Sequence, residues 1–223
     1  MPEALEQAPR SIIHEEKLKS ELKEVFTNEW FARTAIELKE YDRETYNHSL
    51  RVGVLASRIG TRLELPEDLM KKSGLSHDFG KLHVPLHILQ KEGPLTDDER
   101  ITMDTHADAS FLMAQPHDNQ VATVIVAHHE YQNHSYPRKT SRPKDTALEK
   151  SQLVLVLADR IDAWMSERPY KPAFSPEETR DMLMDAFAEI KQSGKVQNPE
   201  VLGAFDEELI DFAIQTRLNL DEK

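Results

Sequence analysis

Along most of the 223 residues, apolar positions recur three and four apart, and alternating strand patterns are scarce. That spacing is the period of helices with one buried face. Residues 12–40 carry Leu18, Leu22, Val25, Phe26, Phe31, Ile36 and Leu38, which predicts an amphipathic helix or helical pair. Residues 42–64 predict another, with Val52, Leu55 and Ile59 on one stripe. Pro66 stands where a first-turn proline belongs and opens a short helix running towards His77. Gly93-Pro94 marks a turn, and Thr96 with Glu99 has the capping-box spacing for a helix to about Gln115. The strongly apolar stretch 119–130 predicts a buried helix, and 149–167 one buried nearly all round in its first half. Arg168-Pro169-Tyr170 ends it. Ser175-Pro176 with Glu178 caps a further helix to about Gln192, and Asn198-Pro199-Glu200 opens the last helical stretch. An all-α fold follows.

Composition narrows the chemistry. The chain has 28 Lys+Arg against 40 Asp+Glu, a formal charge of −12, which argues against a surface that coats duplex nucleic acid or anionic membrane. There is no cysteine, so disulfides, thiolate metal sites and thiol catalysis are excluded. Ten histidines and the abundant acids leave imidazole and carboxylate as the available metal ligands. The first ten residues are polar and acidic, and the longest apolar run, 153–158, is too short to span a bilayer. A cytoplasmic location without a membrane partner is the expectation. Residues 131–144 contain Pro137 and Pro143, no acid, and Arg138, Lys139, Arg142 and Lys144, and read as a basic loop.

The histidines and acids fall in a recognisable order. Glu44 and His48 lie four apart, about 40° apart around a helix axis, so both share one face. His48 also lies on the stripe of Val52, Leu55 and Ile59 and should point inward. His77-Asp78 are adjacent, a pair that two neighbouring metals can share through the two oxygens of the carboxylate. His106 follows within a helix, and His128-His129-Glu130 closes an apolar one, where two imidazoles are costly to desolvate unless something binds them. Asp159 ends the apolar run 153–158 and should be paired or metal-bound, with Asp162 one turn on as the competing candidate. Trp164 fits the core better than a stacking role.

This succession resembles the HD superfamily of metal-dependent phosphohydrolases. Within it, the chain is similar to the HD-GYP family, which hydrolyses cyclic dinucleotides in bacteria. The matching segments are 77–85, 88–96, His106, His128-His129-Glu130, 158–163, Arg168-Pro169-Tyr170-Lys171 and Asn198-Pro199-Glu200-Val201, within a span of about 44–205. The resemblance implies an HD-domain helical bundle over 41–223 behind an N-terminal helical extension, 1–40. It implies Glu44, His48, His77, Asp78, His106, His128, His129 and Asp159 as metal ligands, with Asp78 bridging and Glu44 serving a third metal. Asp78 and Lys81 become the catalytic pair, and Lys81, Tyr136, Arg168 and Lys171 the substrate contacts. The implied cofactors are two or three metal ions, iron or manganese, and the implied reaction is phosphodiester hydrolysis through a metal-bridging hydroxide. The implied substrate is a cyclic dinucleotide, cyclic di-GMP foremost. Another nucleotide or phosphoester, or binding without turnover, are the alternatives, and the N-terminal helices are a candidate homodimer contact. One departure stands out: Tyr131-Gln132-Asn133-His134-Ser135-Tyr136-Pro137 lacks the family's Asp-Gly, is one residue shorter, and has Ser135 where the family has glycine.

Overall fold

A computed structural model describes residues 10–131, 147–167 and 172–221. Among these residues every regular element is helical. In chain order the α-helices are α1 (Arg10–Glu21), α2 (Glu29–Tyr41), α3 (Arg43–Arg62), α4 (Glu67–Ser76), α5 (Leu86–Leu89), α6 (Asp97–Asp104), α7 (His106–Ala114), α8 (Asn119–Ile125), α9 (Glu149–Met165), α10 (Pro176–Gln192) and α11 (Glu207–Asp221). Short 3-10 turns occupy Val25–Thr27, Phe79–His83 and Pro199–Ala204.

The boundaries follow local chemistry. Asn28, Asp42 and Asp118 each accept backbone N–H bonds at a helix start, which satisfies donors the helix leaves free. Thr96 and Ser175 both form complete capping boxes, with Glu99 and Glu178 answering their backbones. Of the helix or helical pair expected over 12–40, the pair is found, turned at Val25–Thr27. The expected helix from Thr96 breaks at Thr105, so His106 begins α7 and does not sit inside a continuous helix. The apolar stretch from Asn119 stays helical only to Ile125, then tightens into turns that carry His128 and His129.

α3 is the spine, packed against α4, α9, α2, α11 and α1. Leu50, Leu55, Ile59, Leu75, Ile125, Leu153 and Leu157 are fully buried around it. Leu18, Leu22, Val25 and Phe31 join this same cluster, so the first two helices close one side of the core. Ile36 remains exposed there. Two glycines permit close approaches that set the site. A Cβ on Gly74 would lie 2.5 Å from Gly53 Cα, where α3 and α4 cross. A Cβ on Gly80 would lie 2.1 Å from the His106 carbonyl oxygen, and Gly80 N donates to Ser110 Oγ at 2.8 Å. The segment after His77-Asp78 is thereby pressed against the start of α7. No helix among the described residues is long and apolar enough to cross a membrane.

Candidate metal centre

α3, the end of α4, the start of α7, the turn after α8 and α9 each deliver side chains to one place. His48, His77 and Asp78 form one group of ligand atoms within 4.8 Å of one another, and His106, His128 and His129 form a second. Asp159 joins the first, with Oδ1 3.1 Å from His48 Nε2 and 3.7 Å from His77 Nε2. Asp78 stands between the two groups. Its Oδ2 is 3.4 Å from His77 Nε2 and 3.8 Å from His48 Nε2, while its Oδ1 is 3.3 Å from His106 Nε2. One carboxylate thus turns an oxygen towards each group.

The imidazoles are fixed from behind. Nδ1 of His77 lies 2.8 Å from the Gly74 carbonyl, Nδ1 of His106 2.7 Å from that of Met103, and Nδ1 of His128 2.5 Å from that of Ile125. A carbonyl only accepts, so each Nδ1 carries a hydrogen and each ring turns its Nε2 into the site. His48 uses Asp162 instead, with 2.7 Å between Nδ1 and Oδ2. This is the arrangement metal-ligating histidines adopt. Two further observations fit a metal. His77 Nε2 is buried and makes no hydrogen bond among the described residues. His106 Nε2 and His128 Nε2 face each other at 3.1 Å, two acceptors that a shared cation reconciles.

Electrostatics divides the site. Burial pushes His77 down, but the carboxylates of Asp78 and Asp159 outweigh it and hold the imidazole up to about 10. Burial raises Asp78, and His77 and Lys81 reverse this, holding the carboxyl well below its usual range. In the second group burial dominates. It lowers His106 to about 4 and His128 to about 3, and it takes His129 well below its ordinary value.

Asp162, the competing candidate, is engaged behind the site. It is fully buried, receives Arg51 Nε at 2.7 Å and Nη2 at 2.9 Å, and receives Arg217 Nε at 2.6 Å. Ser166 Oγ donates to it at 3.4 Å, and its Oδ2 orients His48 from the rear. Sequence reasoning missed Arg51 and Arg217. Arg51 carries a faint signal, three residues after His48 on the same helix face. Arg217 arrives from α11, 55 residues beyond Asp162, and carries none.

A cavity of about 970 Å³ opens over the site, lined by His48, Asp78, Lys81, His106, His129 and Asp159 among others. Lys81 Nζ lies 2.6 Å from Asp78 Oδ2 at its wall. Trp164 packs half-buried on the core and also lines this cavity. Glu44 is exposed, one turn before His48, and belongs to neither group of ligand atoms. Tyr136, Arg168 and Lys171, and all but Tyr131 of the basic loop, lie outside the described residues.

The family model described as the HD domain matches residues 45–164. The chain belongs to the HD domain family. A cyclic di-GMP phosphodiesterase of Thermotoga maritima is 35% identical over 178 residues, covering 75% of this chain and 46% of that protein. A 3'3'-cGAMP-specific phosphodiesterase of Vibrio cholerae is 29% identical over 145 residues, covering 62% of this chain and 33% of that protein. Such relatives support the HD-GYP branch of the HD family. The chain spans less than half the length of these curated relatives. The HD domain of the L. monocytogenes phosphodiesterase PgpH shares the fold, with a TM-score of 0.62 at 13% identity over 83% of this chain and 97% of that one.

Proposed function

We propose that this HD domain is a metal-dependent phosphodiesterase that hydrolyses a cyclic dinucleotide, cyclic di-GMP foremost. The observation that carries the reading is Asp78, one buried carboxylate with an oxygen towards each of two histidine groups. On this reading His48, His77, Asp78 and Asp159 hold one metal, and Asp78, His106, His128 and His129 hold its neighbour. Oxygen and nitrogen donors without thiolate suit iron or manganese. Bound there, a pair of such ions supplies an activated water and charge relief on the phosphoryl oxygens. A third ion would require the exposed Glu44 to turn inward.

The chain's own groups do the rest. Lys81 presents a fixed positive charge at the cavity wall to a non-bridging phosphoryl oxygen. The anchored Nδ1 atoms keep each Nε2 aimed without reorganisation during the reaction. Water adds to phosphorus, the ribose 3′ P–O bond breaks, and a linear dinucleotide leaves; a second cleavage gives GMP. The names of the Thermotoga maritima and Vibrio cholerae relatives support the substrate class. They also motivate a second reading, in which the substrate is 3'3'-cGAMP. Tyr136, Arg168 and Lys171 are the remaining proposed substrate contacts, and the altered segment around Ser135 is where the substrate side departs from the family.

The test is to load the protein with manganese or iron and follow cyclic di-GMP and 3'3'-cGAMP by chromatography. Linear product from either is expected. Neither product, with two ions per chain bound, removes the reading and favours binding without turnover; faster turnover of another phosphoester favours that alternative.

A further inference from the structure

Beside the proposed metal ligand Asp159 stands Arg160, and it differs from the other cations nearby. Arg51 and Arg217 both end on Asp162. Arg160 lines the cavity over the metal centre, yet its Nη1 is buried and makes no hydrogen bond among the described residues. Leaving a buried guanidinium nitrogen unmatched is costly, so a site that keeps one is shaped for an acceptor that arrives from outside. Burial lowers the pKa of this guanidinium, with Asp159 and Glu189 opposing.

Two incoming groups could accept from Arg160: a phosphate or a base edge. The rest of the wall decides between them. α10 contributes Met182, Asp185 and Glu189 to the same cavity, and α9 contributes Ala163 and Trp164. Two carboxylates repel a phosphate. They complement guanine, which carries N–H donors on one edge and the O6 and N7 acceptors on another. An arginine fork meets O6 and N7 with two parallel bonds, while adenine places a donor where guanine has O6. Trp164 and Met182 offer apolar surface for the ring faces.

We propose that Arg160, with Asp185 and Glu189, forms a guanine-recognition wall that selects the base next to the scissile phosphate. This rests on the cyclic-dinucleotide reading above and adds the residues that choose the base.

The experiment compares wild type with Arg160→Met and Arg160→Lys, all manganese-loaded. Calorimetry gives Kd for 5′-GMP and 5′-AMP, and kcat/KM is measured on cyclic di-GMP and cyclic di-AMP. The expected result is that Arg160→Met lowers the guanine-over-adenine preference about 5- to 150-fold in both measurements. Arg160→Lys keeps the charge, loses the fork and loses most of the preference too. A preference that survives in both variants overturns the assignment. So does an equal fall for guanine and adenine ligands, or full retention in Arg160→Lys, which marks a phosphate contact. Failure of wild type to bind or cleave any cyclic dinucleotide removes the substrate reading itself, whatever the variants do.

Discussion

His77 and His128 lie side by side, ring centroids 5.1 Å apart, both buried and both tied through Nδ1 to a carbonyl three residues back. Their charges nevertheless diverge. His77 faces Asp78 and Asp159 and is held up to about 10, whereas His128 faces two other imidazoles and falls to about 3. The carboxylates of the acidic half hold a proton on His77. The imidazole half is neutral at pH 7 and ready to ligate. Burial is common to both, so the neighbours decide. Asp78 is the hinge of the comparison because it belongs to both halves.

The sharpest way to break this picture is to remove the shared group. Asp78→Asn should empty both halves of metal, with kcat falling on the order of 10³-fold or more. His129→Ala should empty only the imidazole half. Elemental analysis of the purified variants, read as ions per chain, separates the two. Equal metal loss in both variants would mean that the halves are not independent.

Next in size is the buried support behind the acidic half. Asp162→Asn removes the anion that orients His48 and leaves Arg51 and Arg217 facing a neutral amide. Metal affinity of that half should fall about 10- to 100-fold, with the imidazole half less affected, as read by chelator competition. Gly80→Ala acts on the join. A Cβ there meets the His106 carbonyl, so stability should drop by about 1–3 kcal/mol in thermal or urea unfolding.

Much of this was legible in the sequence, and the gaps have physical reasons. The helices with strong caps, at Asp42, Thr96 and Ser175, were readable because their start signals are local. The break at Thr105 was not, because the site requires His106 to point its Nε2 at His128 and local propensity says nothing of that. His128-His129 stand out because two imidazoles close an apolar run, whereas His77-Asp78 is weak alone and gains weight only from the order of the whole set and its resemblance to the HD family. The role of Asp162 was open between ligand and orienter, since helix periodicity places both Asp159 and Asp162 near the core. Arg51 and Arg217, the latter arriving from α11, occupy Asp162 and leave Asp159 facing the histidines. Arg160 carries no distinguishing signal in the sequence, and only the cavity it lines sets it apart.

The last effect is a matter of pH in the metal-free chain. His77 binds its proton more tightly folded than unfolded, so its contribution is complete below pH 6.5 and is lost as pH rises towards 10. His106 and His128 bind theirs more weakly folded, so stability falls as pH drops from 6.5 towards 4. Chelated wild type should therefore be most stable near pH 6.5. His77→Gln should flatten the alkaline limb and His128→Gln the acidic one, as measured by urea midpoints across pH.

The central claim is that one carboxylate joins two metal positions to make a cyclic-dinucleotide phosphodiesterase. Its most direct test is a single preparation in which bound metal and cyclic di-GMP turnover are measured together as manganese or iron is titrated in. The account predicts that linear product appears only as occupancy approaches two ions per chain. Full activity at one ion per chain, or two bound ions with no cleavage of any cyclic dinucleotide, would contradict it.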